Sequence, residues 1–203
     1  PVSLYIPEFD ADDRHHMTVR QLLTHTSGMP DMLPENEALR RAHEPLSTFV
    51  ERSTTTPLLF APGTDFRYQS KGILLAAEIV QRVAGQALRD FEAEQIFTPL
   101  GMKRTVLGLG SFEIPQTVWC STTMEQSEDD RSWGWNTPYW RDFGAPWGGM
   151  HTTTGDLAVL LQMMLSGGQY GGRRILSKAS AEAMVRNQNQ DLGAPWGIGW
   201  SLS

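Results

Sequence analysis

Apart from its serines, five histidines, four tyrosines, three lysines and one cysteine are the side chains of this 203-residue chain that could attack a carbon or carry a proton near neutral pH. Their spacing removes several chemistries at once. No Gly-x-Ser-x-Gly is present, so the strained turn that exposes the nucleophile of an α/β-hydrolase is missing. No His-Glu-x-x-His and no Cys-x-x-Cys exist, which leaves a zinc site without an anchor. His15 and His16 are adjacent, so their side chains diverge on either a helix or a strand, and they read as solvated. The glycine pairs at 167–168 and 171–172 lack the Lys and Ser/Thr of a phosphate-binding loop. Neither a metal nor a cofactor is expected. Two clusters survive: Leu22-Leu23-Thr24-His25-Thr26-Ser27-Gly28, and Tyr68-Gln69-Ser70-Lys71. Taken by themselves they have plain readings. Tyr68 would be a core tyrosine packed on the helix that follows it, Ser70 the N-cap of that helix, and Lys71 a solvated residue of its first turn. His25 would sit in a last helical turn at the negative end of the dipole. Thr26 and Ser27 would bond free carbonyls there, and Gly28 would take the left-handed conformation.

The elements that must position these clusters are mostly helices. A short helix is expected at 18–25, capped by Thr18, with Val19, Leu22 and Leu23 on one face. A polar loop at 30–45 follows, then a helix capped by Ser47 or Thr48 that ends before Pro57. The clearest pattern runs from Ser70 to Ala84, apolar around most of its circumference and stopped by Gly85, so it should be deeply packed. A helix over 87–97 should stop at Pro99. Residues 108–147 have no clean period and crowd five tryptophans among Pro, Gly and acidic residues, the character of a site wall. Helices are expected at 155–165, capped by Thr154, and from Ser177 through Arg186, with a tight hairpin at 167–172 between them. The last residues, 197–203, read as the start of a strand. Gly-Ala-Pro-Trp-Gly occurs at 144–148 and again at 193–197, but the flanks do not match, so coincidence or two similar turns is the reading.

Composition bounds the partners. Hydrophobic residues make up 40% and charged residues 20%, as in an ordinary globular domain. A net charge of −6 without a long Lys/Arg cluster excludes nucleic acid and a basic membrane-surface patch. No apolar run approaches a membrane span. The single Cys120 cannot form an internal disulfide, which fits the cytoplasm and also a secreted protein without bridges, so the compartment is open.

Five segments, in order, resemble one family. Leu22 to Pro30 resembles the Leu-Leu-x-His-Thr-Ser-Gly signature of class C β-lactamases, D-Ala-D-Ala carboxypeptidases and related esterases, the serine β-lactamase-like and penicillin-binding-protein family. Pro62-Gly63-Thr64-Asp65-Phe66-Arg67-Tyr68-Gln69-Ser70 resembles its Pro-Gly-x-x-Phe-x-Tyr-Ser-Asn segment. Ile96-Phe97-Thr98-Pro99-Leu100-Gly101-Met102 also fits, as does Gly148-Gly149-Met150-His151-Thr152-Thr153 with its helix entry, and so does the opening Pro1 to Phe9. The resemblance implies an α+β, β-lactamase/transpeptidase-like fold, an antiparallel sheet flanked by helices, of which residues 1–203 would be the central part of one domain and mostly its helical lobe. It also implies acyl transfer through a serine ester. A Ser-x-x-Lys helix carries the nucleophile, a tyrosine shuttles its proton, and a Lys-Thr-Gly or His-Thr-Gly strand completes the cleft. Tyr68 would be that shuttle, because a phenol near cations is more readily ionised, and Ser70 would stand where the family has Asn. Met32 and Trp147 would line the acyl pocket.

No Ser-x-x-Lys and no Lys/His-Thr-Gly occurs in the 203 residues, and family order would put them before Pro1 and after Ser203. The fragment alone is therefore expected to be inactive, its parent to act on a small ester, a β-lactam or a peptide. The rival expectation is a non-catalytic module that keeps the fold to bind a partner.

Overall fold

The structure is a computed structural model that describes residues 1–11, 13–121 and 132–202. Part of the tryptophan-rich stretch expected at 108–147 therefore lies outside the described residues. Helix α1 (Val19–Leu23) starts where the sequence places it: Thr18 and Gln21 form a reciprocal capping box. The loop at 30–45 contains an unexpected helix, α2 (Asn36–Arg41), which buries no residue and so lacked an apolar stripe to announce it. Helix α3 (Leu46–Thr55) begins after Pro45 rather than on a Ser or Thr cap, because Pro45 already holds an extended backbone at that boundary. Its far end is closed by Arg14, buried at 5% exposure, whose guanidinium donates to the Thr54 and Thr56 carbonyls at 3.0 and 2.9 Å.

Helix α4 (Ser70–Ala84) is the axis of the molecule and ends at Gly85 in the left-handed conformation, as its pattern predicts. Leu74, Leu75 and Ile79 are buried against Val2, Ile6, Phe9, Met17, Leu22, Met29 and Phe49, each contributing roughly 1.5–3 kcal/mol. Its cap differs from expectation. Gln69, not Ser70, is the N-cap, and Ser70 is already the first helical residue.

Beyond Gly85, α5 (Leu88–Glu92) runs through a widened π turn at Ala93–Phe97 into α6 (Thr98–Leu100) and stops at Gly101. Pro99 does not end this helix. The π turn lies where a regular turn would press the Gln95 carbonyl on the proline ring. α5 also holds an uncompensated charge. Burial pushes the Glu92 carboxyl up to about 7. A carboxyl whose folded pKa exceeds its unfolded value costs stability increasingly as pH rises from 4.5 to 7, and fully above that. Glu92→Gln should therefore stabilise the protein at pH 8 by about 1–2 kcal/mol, after discounting for solvent contact, and have little effect at pH 4.5. Urea denaturation at the two pH values checks this.

Strand β1 (Val106–Leu107) pairs antiparallel with β2 (Met150–His151), Val106 opposite His151. Helix α7 (Pro138–Asp142) lies between them in sequence. Helix α8 (Thr154–Leu165) is capped by Thr153, whose hydroxyl accepts from the Asp156 N–H, one residue earlier than expected. Phe97, Leu100 and Met102 pack on Met163 of α8 as a second core. The hairpin β3 (Gln169–Tyr170) and β4 (Arg173–Arg174) turns on Gly171 and Gly172, both left-handed, as the glycine pairs predict. Helix α9 (Lys178–Met184) is capped by Ser177 and ends short of Arg186. Residues 197–202 do not form the expected strand: among the described residues a single bridge joins Trp196 and Ser201, and no described strand pairs with it.

Candidate active site

The end of α1 and the segment after it present a row of carbonyls, each claimed by a different residue. Leu22 O accepts from the Gln69 side chain and Leu23 O from Gly199 N–H. Thr24 O accepts from the Asn189 amide, His25 O from Arg67 N–H and Thr26 O from Gly63 N–H. Gly28 O accepts from Leu59 N–H at 2.7 Å, an approach so close that a Cβ on Gly28 would meet the Phe60 carbonyl at 2.1 Å. The segment thus docks the chain at 59–69 and the chain at 189–199 on either side of itself. The small hydroxyl residues keep it compact. Thr24 Oγ1 donates back to the Arg20 carbonyl, and Ser27 Oγ accepts from Met29 N–H rather than bonding a helix carbonyl.

His25 is not in the last turn of a helix. It lies beyond α1 with φ 59°, buried to 2% exposure. Its Nδ1 accepts from Gln69 N–H at 3.3 Å, which leaves the proton on Nε2. Burial pushes its pKa below the ordinary histidine value, against the pull of the Asp31 carboxylate, so the ring is neutral at pH 7.

The docked segment delivers Tyr68 to the surface at the start of α4. It is 52% exposed, which excludes the core reading. Its ring rests on His25 with centroids 4.6 Å apart and lies 6.1 Å from Trp196, while its hydroxyl has no hydrogen-bond partner among the described residues. Gln69 is fully buried. Its amide donates to Leu22 O and its oxygen accepts from Gly72 N–H, ties that lock α4 to α1. A side chain at residue 72 would collide with that amide, hence the glycine. Ser70 donates both its N–H and its hydroxyl to Asp31 Oδ1, at 2.8 and 2.7 Å. An anion there also suits the helix N-terminus.

Lys71 contradicts its solvated reading. It is 1% exposed, with Nζ 4.5 Å from the Trp147 ring centre and 5.4 Å from that of Phe49. Residue 71 faces inward under α3, and the long aliphatic stem fills the space an apolar residue would take. Burial lowers its pKa to about 8, opposed by the Asp31 charge. Trp147 is thus half-buried on the core side of α4, whereas Met32 is 60% exposed on the loop beside Asp31. The sequence reading passed over Asp31, Gln69 and Trp196. Trp196 did leave a signal: the two Gly-Ala-Pro-Trp-Gly copies put one tryptophan against Lys71 and the other against Tyr68, flanking the start of α4. No group of three metal-ligating side chains occurs among the described residues. No helix among them is long and apolar enough to cross a membrane.

A family model described as Beta-lactamase matches residues 1–203. The chain belongs to the beta-lactamase family. An Escherichia coli (strain K12) protein provisionally named D-alanyl-D-alanine carboxypeptidase is 28% identical over 228 residues, covering 100% of this chain and 52% of that protein. The chain therefore spans about half the length of the curated relatives it matches. Among solved structures, a family VIII carboxylesterase superposes with a TM-score of 0.75 at 23% identity, over 100% of this chain and 59% of that one. A penicillin-binding-protein homolog from Caulobacter crescentus gives 0.71 at 24% identity, over 98% and 58%. At such identities these superpositions speak for the fold. The fold is β-lactamase/transpeptidase-like, and the described part of this beta-lactamase-family chain is mostly helical.

Proposed function

We propose that residues 1–203 are the central part of a serine acyl hydrolase whose nucleophile, on a Ser-x-x-Lys helix, is supplied by another segment of the parent protein. The observation that carries this reading is Tyr68: a half-exposed phenol whose hydroxyl bonds no other described residue, on a segment tied by backbone hydrogen bonds, where the sequence resembles the family's tyrosine motif. In the reaction, Tyr68 acts as the phenolate: the serine oxygen bonds to the acyl carbon as its proton passes to the Tyr68 oxygen. The bond to the leaving alkoxide or amine breaks as Tyr68 returns that proton, and water then releases the acyl group. Ser70 is the auxiliary, linking the site to Asp31. Met32 and Trp147 are the candidates for contact with the acyl group. The substrate is a small ester, a β-lactam or a peptide.

An exposed apolar face supports the placement within a larger domain. Leu157, Leu161 and Leu165, one turn apart on α8, are 39%, 41% and 87% exposed, beside Val185 and a groove of about 700 Å³ that Trp200 also lines. The remainder of the parent domain would cover this face, and the fragment alone would be inactive.

The test is to incubate the full-length protein with a penicillin and, separately, with a short-chain nitrophenyl ester, following hydrolysis and intact mass. Turnover or a mass increase matching one acyl group supports the hydrolase. Inertness toward both favours a binding module that keeps the fold, a reading to which the Ser70 hydroxyl, already committed to Asp31, lends some weight.

A further inference from the structure

Tyr68 lies between two residues tied to the same partner. Arg67 N–H donates to the His25 carbonyl at 2.9 Å, and Gln69 N–H donates to His25 Nδ1 at 3.3 Å. The imidazole meanwhile rests on the phenol ring. One residue makes all three contacts through a left-handed backbone, which turns its carbonyl toward residue 67 and leaves its ring over 68 and 69. A chain reversal alone would be met more easily by Gly or Asn, so the backbone does not explain the imidazole. Trp196 meets the His25 ring edge-on, centroids 4.7 Å apart, and also flanks the Tyr68 ring at 6.1 Å.

From these contacts we infer that His25 is a positioning residue for catalysis: it fixes the direction in which the Tyr68 phenol leaves the surface, without touching substrate. The inference rests on the role proposed above for Tyr68. Bonds to both chain neighbours set the backbone of residue 68, and the ring contact selects its χ1. A half-exposed tyrosine without such a contact samples several staggered rotamers, and each carries the hydroxyl to a different place. Misplacing a proton-transfer group slows the chemical step more than it weakens substrate binding.

His25→Gly separates the two functions, because it keeps the left-handed backbone and the carbonyl bond while removing the ring and Nδ1. In the full-length protein, kcat for a nitrophenyl ester should fall about 10- to 100-fold with KM within about threefold. The couplings that report Tyr68 χ1 by NMR should change from those of one rotamer to an average. His25→Asn, whose amide oxygen can still accept from Gln69, should give an intermediate loss of kcat. A folded His25→Gly protein with wild-type kcat and a single Tyr68 rotamer overturns the inference. Should that variant not fold, the same result for His25→Asn overturns it. The two readings fail separately. If Tyr68→Phe retains full activity, the shuttle role of Tyr68 falls, and the χ1 couplings still decide whether His25 holds the ring.

Discussion

Tyr68→Phe in the full-length protein should lower kcat by about 10²- to 10⁴-fold, some 3–5 kcal/mol in the barrier, with the stability of the fold unchanged to within about 0.5 kcal/mol. The contrast between the two numbers is what makes the variant informative. Phenylalanine keeps the ring that packs on His25 and Trp196, so every contact seen for the tyrosine survives. The hydroxyl it removes bonds no other described residue, so its loss orphans no buried group. A tyrosine that merely packs would therefore be replaced at no cost to either stability or rate. A proton shuttle would lose the only atom that matters. Steady-state hydrolysis of a nitrophenyl ester, beside urea denaturation of the same preparation, measures both quantities. Equal kcat in the two proteins would remove Tyr68 from the mechanism.

What the sequence disclosed about this site follows from which interactions leave a mark on residue type. Helix α4 was legible in full, because burial on a helix writes a 3.6-residue repeat and a left-handed end writes a glycine. Its cap was misread, since Ser70 is the better capping type and Gln69 wins only through a long side chain that also reaches Leu22. The carbonyl row at residues 22–28 left no mark of its own, because every residue has a carbonyl. The His-Thr-Ser-Gly signature records the resulting crowding and not the bonds themselves. Asp31 and Trp196 reach the site across 39 and well over 100 residues of chain, a distance no local pattern spans. Even so, the family resemblance and the β-lactamase-like fold were readable, since they rest on ordered segments along the whole chain.

Lys71 is where the local rules and the structure part most sharply, and removing its charge should show it. Lys71→Met keeps length and apolar stem, so the packing under Phe49 and Trp147 is largely retained. The wild-type side chain is charged below pH 8 when folded, but up to about 10.5 when unfolded. A base whose folded pKa is depressed costs stability fully below the folded value, and the cost fades as pH rises to the unfolded one. The penalty at pH 7 is on the order of 3 kcal/mol, from which the lost contact with the aromatic faces subtracts about 1 kcal/mol. Lys71→Met should therefore be more stable than wild type by about 2 kcal/mol at pH 7, and the advantage should disappear by pH 10.5. Denaturant titrations across that range measure it, and a variant less stable than wild type at pH 7 would mean that the ammonium is a net structural asset. If the stabilised variant also loses esterase activity, the strain has a use. Asp31 faces both Lys71 and the Ser70 hydroxyl, so deleting the cation would leave its carboxylate unbalanced at the start of α4, two residues from the Tyr68 phenol.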